Sequence, residues 1–134
     1  MSARPRGPTL TVDCVVFDAS GALLLIKRGN PPFKGRYALP GGFVDVGETV
    51  EAATLRELKE ETGLNGRIVA LIGIYSDPKR DPRGHSVSAA YLVETKGKPR
   101  GGDDAESAAF VAGWRKLKLA FDHDKIVRAA LALL

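Results

Sequence analysis

At 134 residues, with 44% hydrophobic and 27% charged side chains, the chain has the size and composition of a single folded domain spanning 1–134, too apolar for a disordered protein and too polar for a membrane one. No apolar run approaches the ~20 residues needed to cross a bilayer, and no apolar leader follows the basic MSARPRGPTL start, so a cytoplasmic protein with no membrane partner is expected. One cysteine rules out an internal disulfide, and a net charge of +4 without a basic run interleaved with aromatics favours a small anionic partner over nucleic acid.

Residues 1–8, with two prolines that cannot donate to a ladder, read as a flexible or extended lead-in. Residues 10–17 and 22–28 are apolar and β-branched, and the turn formers Asp18, Ala19, Ser20 and Gly21 between them predict a hairpin. Cys14, inside the first strand, is expected as a buried small hydrophobe. The GNPPFKGR segment predicts a loop bracketed by Arg28 and Arg36. Leu39-Pro40-Gly41-Gly42 then predicts a turn that uses the positive φ open to glycine. Tyr37, just ahead of it, fits either core packing or a substrate contact.

Residues 43–46 predict a short strand, followed by a helix that opens at Glu48 or Thr49 and stops at Gly63. Val50, Ala53, Leu58 and Leu64 offer an apolar stripe to a sheet, which leaves the opposite face to a cleft. Residues 67–75 and 86–93 predict two further strands. The loop between them holds Arg80, Arg83 and His85 among prolines, an arrangement that presets charged groups for a phosphate or ribose; His85 reads as a hydrogen-bonding loop residue rather than a metal ligand. Residues 96–102 predict a linker, residues 108–114 an apolar segment with Trp114 in the core, and residues 121–134 a C-terminal helix capped by Asp122. Strands interrupted by one helix and closed by another predict an α/β or α+β sandwich on a mixed sheet.

The most informative stretch is GFVDVGETVEAATLRELKEETGL, residues 42–64. At about 100° per residue, Glu57, Glu60 and Glu61 project from one helix face. Like charges at this spacing repel by roughly 0.2–0.5 kcal/mol per pair, so three carboxylates call for a compensating partner, and a hard divalent cation with oxygen ligands is such a partner.

Read as Gly-x5-Glu-x7-Arg-Glu-U-x-Glu-Glu-x-Gly-U, with U aliphatic, this stretch resembles the signature of the Nudix hydrolases at every specified position: Gly42, Glu48, Arg56, Glu57, Leu58, Glu60, Glu61, Gly63 and Leu64. The resemblance implies a Nudix-type α/β/α sandwich with a mixed β-sheet. It implies an enzyme that splits a nucleoside diphosphate linked to another moiety into a nucleoside monophosphate and a phosphorylated remainder. It also implies Mg2+, replaceable by Mn2+, on Glu57 and Glu61, with Glu60 as a third or water-mediated ligand and the backbone of Gly42 close by. Arg56 would pair with Glu48 or another of these carboxylates and so orient the ligands. The family draws its general base from the signature or from a distal loop, leaving Glu48, Glu60, Asp104 and Glu106. The distal Asp104 and Glu106 are preferred, because carboxylates committed to metal are poorer proton acceptors. The proline-flanked loop after the signature looks like the ADP-ribose pyrophosphatase branch, in which homodimers are common. Sugar nucleotides, dinucleoside polyphosphates, oxidised nucleoside triphosphates and a non-catalytic nucleotide-sensing role are the alternatives.

Overall fold

The computed structural model describes residues 7–100 and 105–134, the side chains of 105 and 106 excepted. In chain order the elements are β1 (Thr9–Val15), β2 (Leu23–Arg28), β3 (Tyr37–Ala38), β4 (Gly41–Phe43), α1 (Val50–Thr62), β5 (Gly66–Tyr75), β6 (Ser86–Thr95), β7 (Ala105–Val111), a 3-10 turn (Trp114–Lys116) and α2 (His123–Leu131). The strands form two sheets. One is mixed, in the order β4-β1-β6-β5, with β1 and β6 parallel; the other is antiparallel, in the order β3-β2-β7.

The hairpin expected of β1 and β2 does not form, since the two strands belong to different sheets. The isolated Phe17–Leu23 bridge links the segment that follows β1 to the start of β2, through 2.9 Å bonds from the Asp18 N–H to the Ala22 carbonyl and from the Leu24 N–H to the Val16 carbonyl. The Asp18 carboxylate accepts the N–H groups of Ser20 and Ala22, both at 2.9 Å, and closes the turn where the chain passes from one sheet to the other.

Alternation along the strands divides the core into two layers, because successive side chains on a strand point to opposite faces. Val12, Cys14 and Val16 of the first strand region, with Leu24, Ala89, Tyr91 and Val93, pack with Ala53, Leu58 and Leu64 on the α1 side. Val15, Leu23, Leu25, Ala90 and Leu92 pack with Ile126, Val127 and Ala130 on the α2 side. Sheets covered by a helix on each face are the α/β/α sandwich expected from the signature. Cys14 is buried as expected, and burial, with Asp13 and Glu61 nearby, pushes its thiol far above the ordinary range. Trp114 is buried too, its indole N–H donating to the Gly21 carbonyl at 3.0 Å.

Helix α1 has the predicted ends. Thr49 caps it, its hydroxyl accepting the Ala52 N–H at 3.1 Å, and Gly63 ends it at φ 77° with its N–H on the Lys59 carbonyl at 2.8 Å. The cap of α2 differs from expectation. Asp122 occupies the N-cap position, but its side chain makes no cap bond; both oxygens are taken by Arg80, at 2.7 and 2.9 Å. The predicted linker over residues 96–102 is described only as far as Arg100, whose N–H reaches the Thr62 carbonyl at 2.7 Å. No described helix is long and apolar enough to cross a membrane.

Candidate active site

The pairing of β1 with β4 sets Asp13 opposite Gly41 and Val12 opposite Gly42, and α1 packs across both strands. The expectation of a positive-φ turn at these glycines is overturned: both lie in β4, and neither has positive φ. Glycine is needed there for lack of room. A Cβ on Gly42 would stand 2.6–2.7 Å from the carboxylate of Glu57, and one on Gly41 would stand 2.1 Å from the Val12 carbonyl oxygen. The close approach lets the Gly41 N–H donate to Glu61 at 3.2 Å.

Arg56 ties the surrounding carboxylates together. It holds Glu48 by two bonds of 2.7 and 2.9 Å, Glu57 at 2.8 Å, Glu60 at 3.2 Å and the Phe43 carbonyl at 2.9 Å. This bidentate, charge-assisted pairing pulls the Glu48 carboxyl down to about 2. Glu60, expected as a third or water-mediated ligand, is exposed and bonded to Arg56.

Glu61 is 7% exposed. Burial, and then the facing charge of Glu57, push its carboxyl up to about 9, while burial also raises Glu57 against the pull of Arg56. The pair therefore shares one proton, carried by Glu61 and donated toward Glu57, whose charge Arg56 stabilises. Two confronted oxygen-donor groups that give up a proton only reluctantly suit a hard divalent cation, which would replace that proton. No three Asp, Glu, His or Cys side chains among the described residues converge to hold an ion unaided. A cation on Glu57 and Glu61 thus draws its other ligands from water or substrate phosphates, as magnesium commonly does.

A pocket opens beside this pair, lined by Thr11, Asp13, Arg28, Phe43, Arg83, Phe121 and their neighbours. Of the substrate contacts expected from sequence, Arg28, Arg80 and Arg83 line it. Arg36, Tyr37 and His85 do not. Arg36 lies over the Phe33 ring at 5.2 Å, Tyr37 pairs with Lys27 in β3 and packs on the core, and His85 is exposed with its Nε2 3.0 Å from the Ser76 carbonyl. Asp104 lies outside the described residues, and Glu106 is described only by its backbone in β7.

Arg80 has a different part from the one expected. Its side chain is 5% exposed and is spent on Asp122, on Ser86 Oγ (2.9 Å) and on Asp13 (3.4 Å). Asp13 also accepts from Ser88 (2.6 Å) and from His123 Nε2 (3.1 Å), while His123 Nδ1 accepts the Leu39 N–H at 3.0 Å. Burial raises the Asp13 carboxyl, but His123, Ser88 and Arg80 together hold it below its ordinary value. This network joins β1, β6, the β5–β6 loop and α2 beneath the pocket. The sequence signals no part of it, since its members Asp13 and His123 lie 110 positions apart. Replacing Arg80 by alanine takes the cation from buried Asp13, which keeps only Ser88 and His123, and from partly buried Asp122, and is expected to cost about 3–5 kcal/mol in urea unfolding. A loss under ~1 kcal/mol would mean that the network adds little.

Residues 7–133 match the family model described as the NUDIX domain. The chain belongs to the Nudix family. Among Nudix relatives it is 50% identical to an ADP-ribose pyrophosphatase of Methanocaldococcus jannaschii, over 90% of this chain and 72% of that protein. It is 36% identical to the ADPR responsive transcriptional repressor NtrR of Acinetobacter baylyi, over 95% of this chain but only 54% of the repressor. The solved NUDIX domain of Shewanella oneidensis NrtR, in complex with ADP ribose, superposes with a TM-score of 0.87 at 30% identity, covering 96% of this chain and 89% of that one. The Nudix signature thus coincides with the Gly42, Glu57 and Glu61 cluster, beside which the pocket opens.

Proposed function

We propose that this Nudix hydrolase cleaves the pyrophosphate bond of ADP-ribose with one water, releasing AMP and ribose 5-phosphate. The observation that carries the reading is the likeness to the M. jannaschii ADP-ribose pyrophosphatase across nine-tenths of the chain, with Glu57 and Glu61 confronted beside an open pocket. Magnesium is the expected cation, with manganese as a substitute, because the donors are carboxylate oxygens with no thiolate or imidazole among them. Glu57 and Glu61 would hold the divalent cation, which when bound would supply charge neutralisation for the pyrophosphate and a more acidic water.

The chain's own residues supply the positioning. The Gly41 N–H fixes one oxygen of Glu61, Arg56 holds Glu57 and Glu48 in place, and Gly42 leaves space for the Glu57 carboxylate. Glu48, with both oxygens on Arg56 and its carboxyl near 2, is a poor proton acceptor, and Glu60 is bonded to the same guanidinium. The general base is therefore assigned to the distal pair Asp104 and Glu106. Changing each to its amide is expected to lower kcat in one of the two.

The likeness to the Acinetobacter repressor supports a second reading, a module that binds the nucleotide without cleaving it. Turnover separates the two. Incubation with ADP-ribose and magnesium, scored by chromatography for AMP and ribose phosphate, is expected to give both products in equal amounts. Binding of ADP-ribose without products would favour the sensing module, and cleavage of oxidised nucleoside triphosphates in its place would move the substrate elsewhere.

A further inference from the structure

Phe43, Arg83 and Phe121 come together at the mouth of the pocket. Phe43 directly follows Gly42 in β4 and is 53% exposed, a large apolar ring presented to solvent beside the carboxylate pair. Phe121 precedes α2 with φ 53°, in the left-handed region that bulky residues seldom enter. Such a strained conformation tends to occur where a ligand is held. The surroundings impose it: Ala120 donates to the Tyr37 carbonyl at 2.8 Å, and the Phe121 ring meets Phe33 edge-on at 4.9 Å.

Arg83 lies over both rings, its Cζ 5.9 Å from the Phe43 centroid and 5.8 Å from that of Phe121. Read from the sequence, Arg83 is a cation for a phosphate or ribose. Its pairing argues otherwise. Asp81, itself nearly buried, accepts from Nε at 3.1 Å, from Nη2 at 2.9 Å and from the Arg83 backbone N–H at 2.9 Å. The fork compensates the charge and locks the guanidinium plane. What remains available is a flat face, and guanidinium faces and aromatic rings are the surfaces on which nucleobases stack.

We infer that Phe43, Arg83 and Phe121 form the base-recognition surface of this site, on which the heterocyclic base of the substrate stacks, and that Arg83 contributes its plane rather than its charge. The inference rests on the reading that the substrate is a nucleotide. Every base has a π-face, so discrimination among bases should be weak, and guanine and hypoxanthine analogues of ADP-ribose should be turned over within about tenfold of it.

The test compares Phe43→Ala, Arg83→Lys and Arg83→Gln in the full chain, with unfolding midpoints checked first. Stacking predicts that F43A raises the KM for ADP-ribose about tenfold or more with kcat within about twofold, and that AMP inhibits it correspondingly less. It predicts that R83K, which keeps the charge and loses the plane, is impaired more than R83Q, which keeps a planar amide. The reverse order, with R83K near the parent and R83Q impaired, would make Arg83 a phosphate contact and overturn the inference, as would an unchanged KM in F43A. If the parent cleaves no nucleotide, AMP binding by calorimetry decides separately: binding that F43A weakens keeps the base surface and discards only the hydrolase reading, whereas a parent that does not bind AMP discards both.

Discussion

Replacing Glu61 with glutamine is expected to lower turnover by about 10³-fold or more while leaving the metal-free fold at least as stable as the parent. The activity loss follows from removing one of two carboxylates that can hold the cation, whose charge stabilisation is worth several kcal/mol, at ~1.36 kcal/mol per tenfold in rate. The unchanged stability follows from the proton that Glu61 carries. With its carboxyl raised to about 9, Glu61 is neutral through most of the accessible pH range, and glutamine reproduces that state. The amide can accept the Gly41 N–H and donate toward Glu57 as the protonated acid does.

The same shift gives a pH signature. A carboxyl whose folded value lies above its ordinary 4.5 favours the native state below that pH, and this contribution is lost as pH rises through about 9. The metal-free parent should therefore lose thermal stability on going from about pH 5 to about pH 8, and E61Q should lose much less. Magnesium should restore the parent at the higher pH, by about 5 °C in Tm, and do little at the lower one, where it must displace the proton. A parent whose Tm is the same at both pH values without metal would rule out the shared proton.

Gly42→Ala is the second large effect, and it should separate activity from stability. The added Cβ meets only the far end of the Glu57 side chain, which can swing aside, so the fold should lose about 1 kcal/mol or less. Swinging aside breaks the bond to Arg56 and moves a carboxylate away from Glu61, and magnesium affinity should fall 10–100-fold with turnover following. Gly41→Ala makes the contrast. Its Cβ would meet the backbone oxygen of Val12, which cannot move without breaking the β1–β4 pairing, so this variant should lose stability as well as activity. Titrating activity with magnesium and unfolding both variants in urea checks the pair; equal stability losses would contradict the distinction.

Much of the site is local in sequence, and for that reason it is legible there. Arg56, Glu57, Glu60 and Glu61 lie on one helix whose ends are marked by Thr49 and Gly63, and helical periodicity alone puts the three carboxylates on one face. What the periodicity does not reveal is that they divide their tasks. Glu61 is buried against Gly41, Glu57 is shared between Glu61 and Arg56, and Glu60 stays in solvent, because a strand 20 positions upstream presses on one side of the helix only. The glycines were equally visible, but for the wrong reason: their backbone is ordinary strand, and what forbids a side chain is the neighbour across the sheet.

The β1–β2 pair and the arginines of the β5–β6 loop misled for a related cause. Turn residues between two apolar runs promise a hairpin, yet whether two strands pair or part into separate sheets depends on which other strands compete for their edges, and β6 and β4 take both edges of β1. Arg80 and Arg83 are alike in sequence and three positions apart, yet Asp13 and Asp122 bury the first while Asp81 and two phenylalanines lay the second flat at the pocket mouth. The sequence by itself determined the family, the helix with its caps, and the carboxylates suited to a cation, because those signals lie within a few turns of one chain segment. Only the tertiary structure decided which carboxylate is buried, which arginine is spent on the core and which lies over the phenylalanines at the pocket, because burial and charge compensation are set by residues that the fold alone brings together.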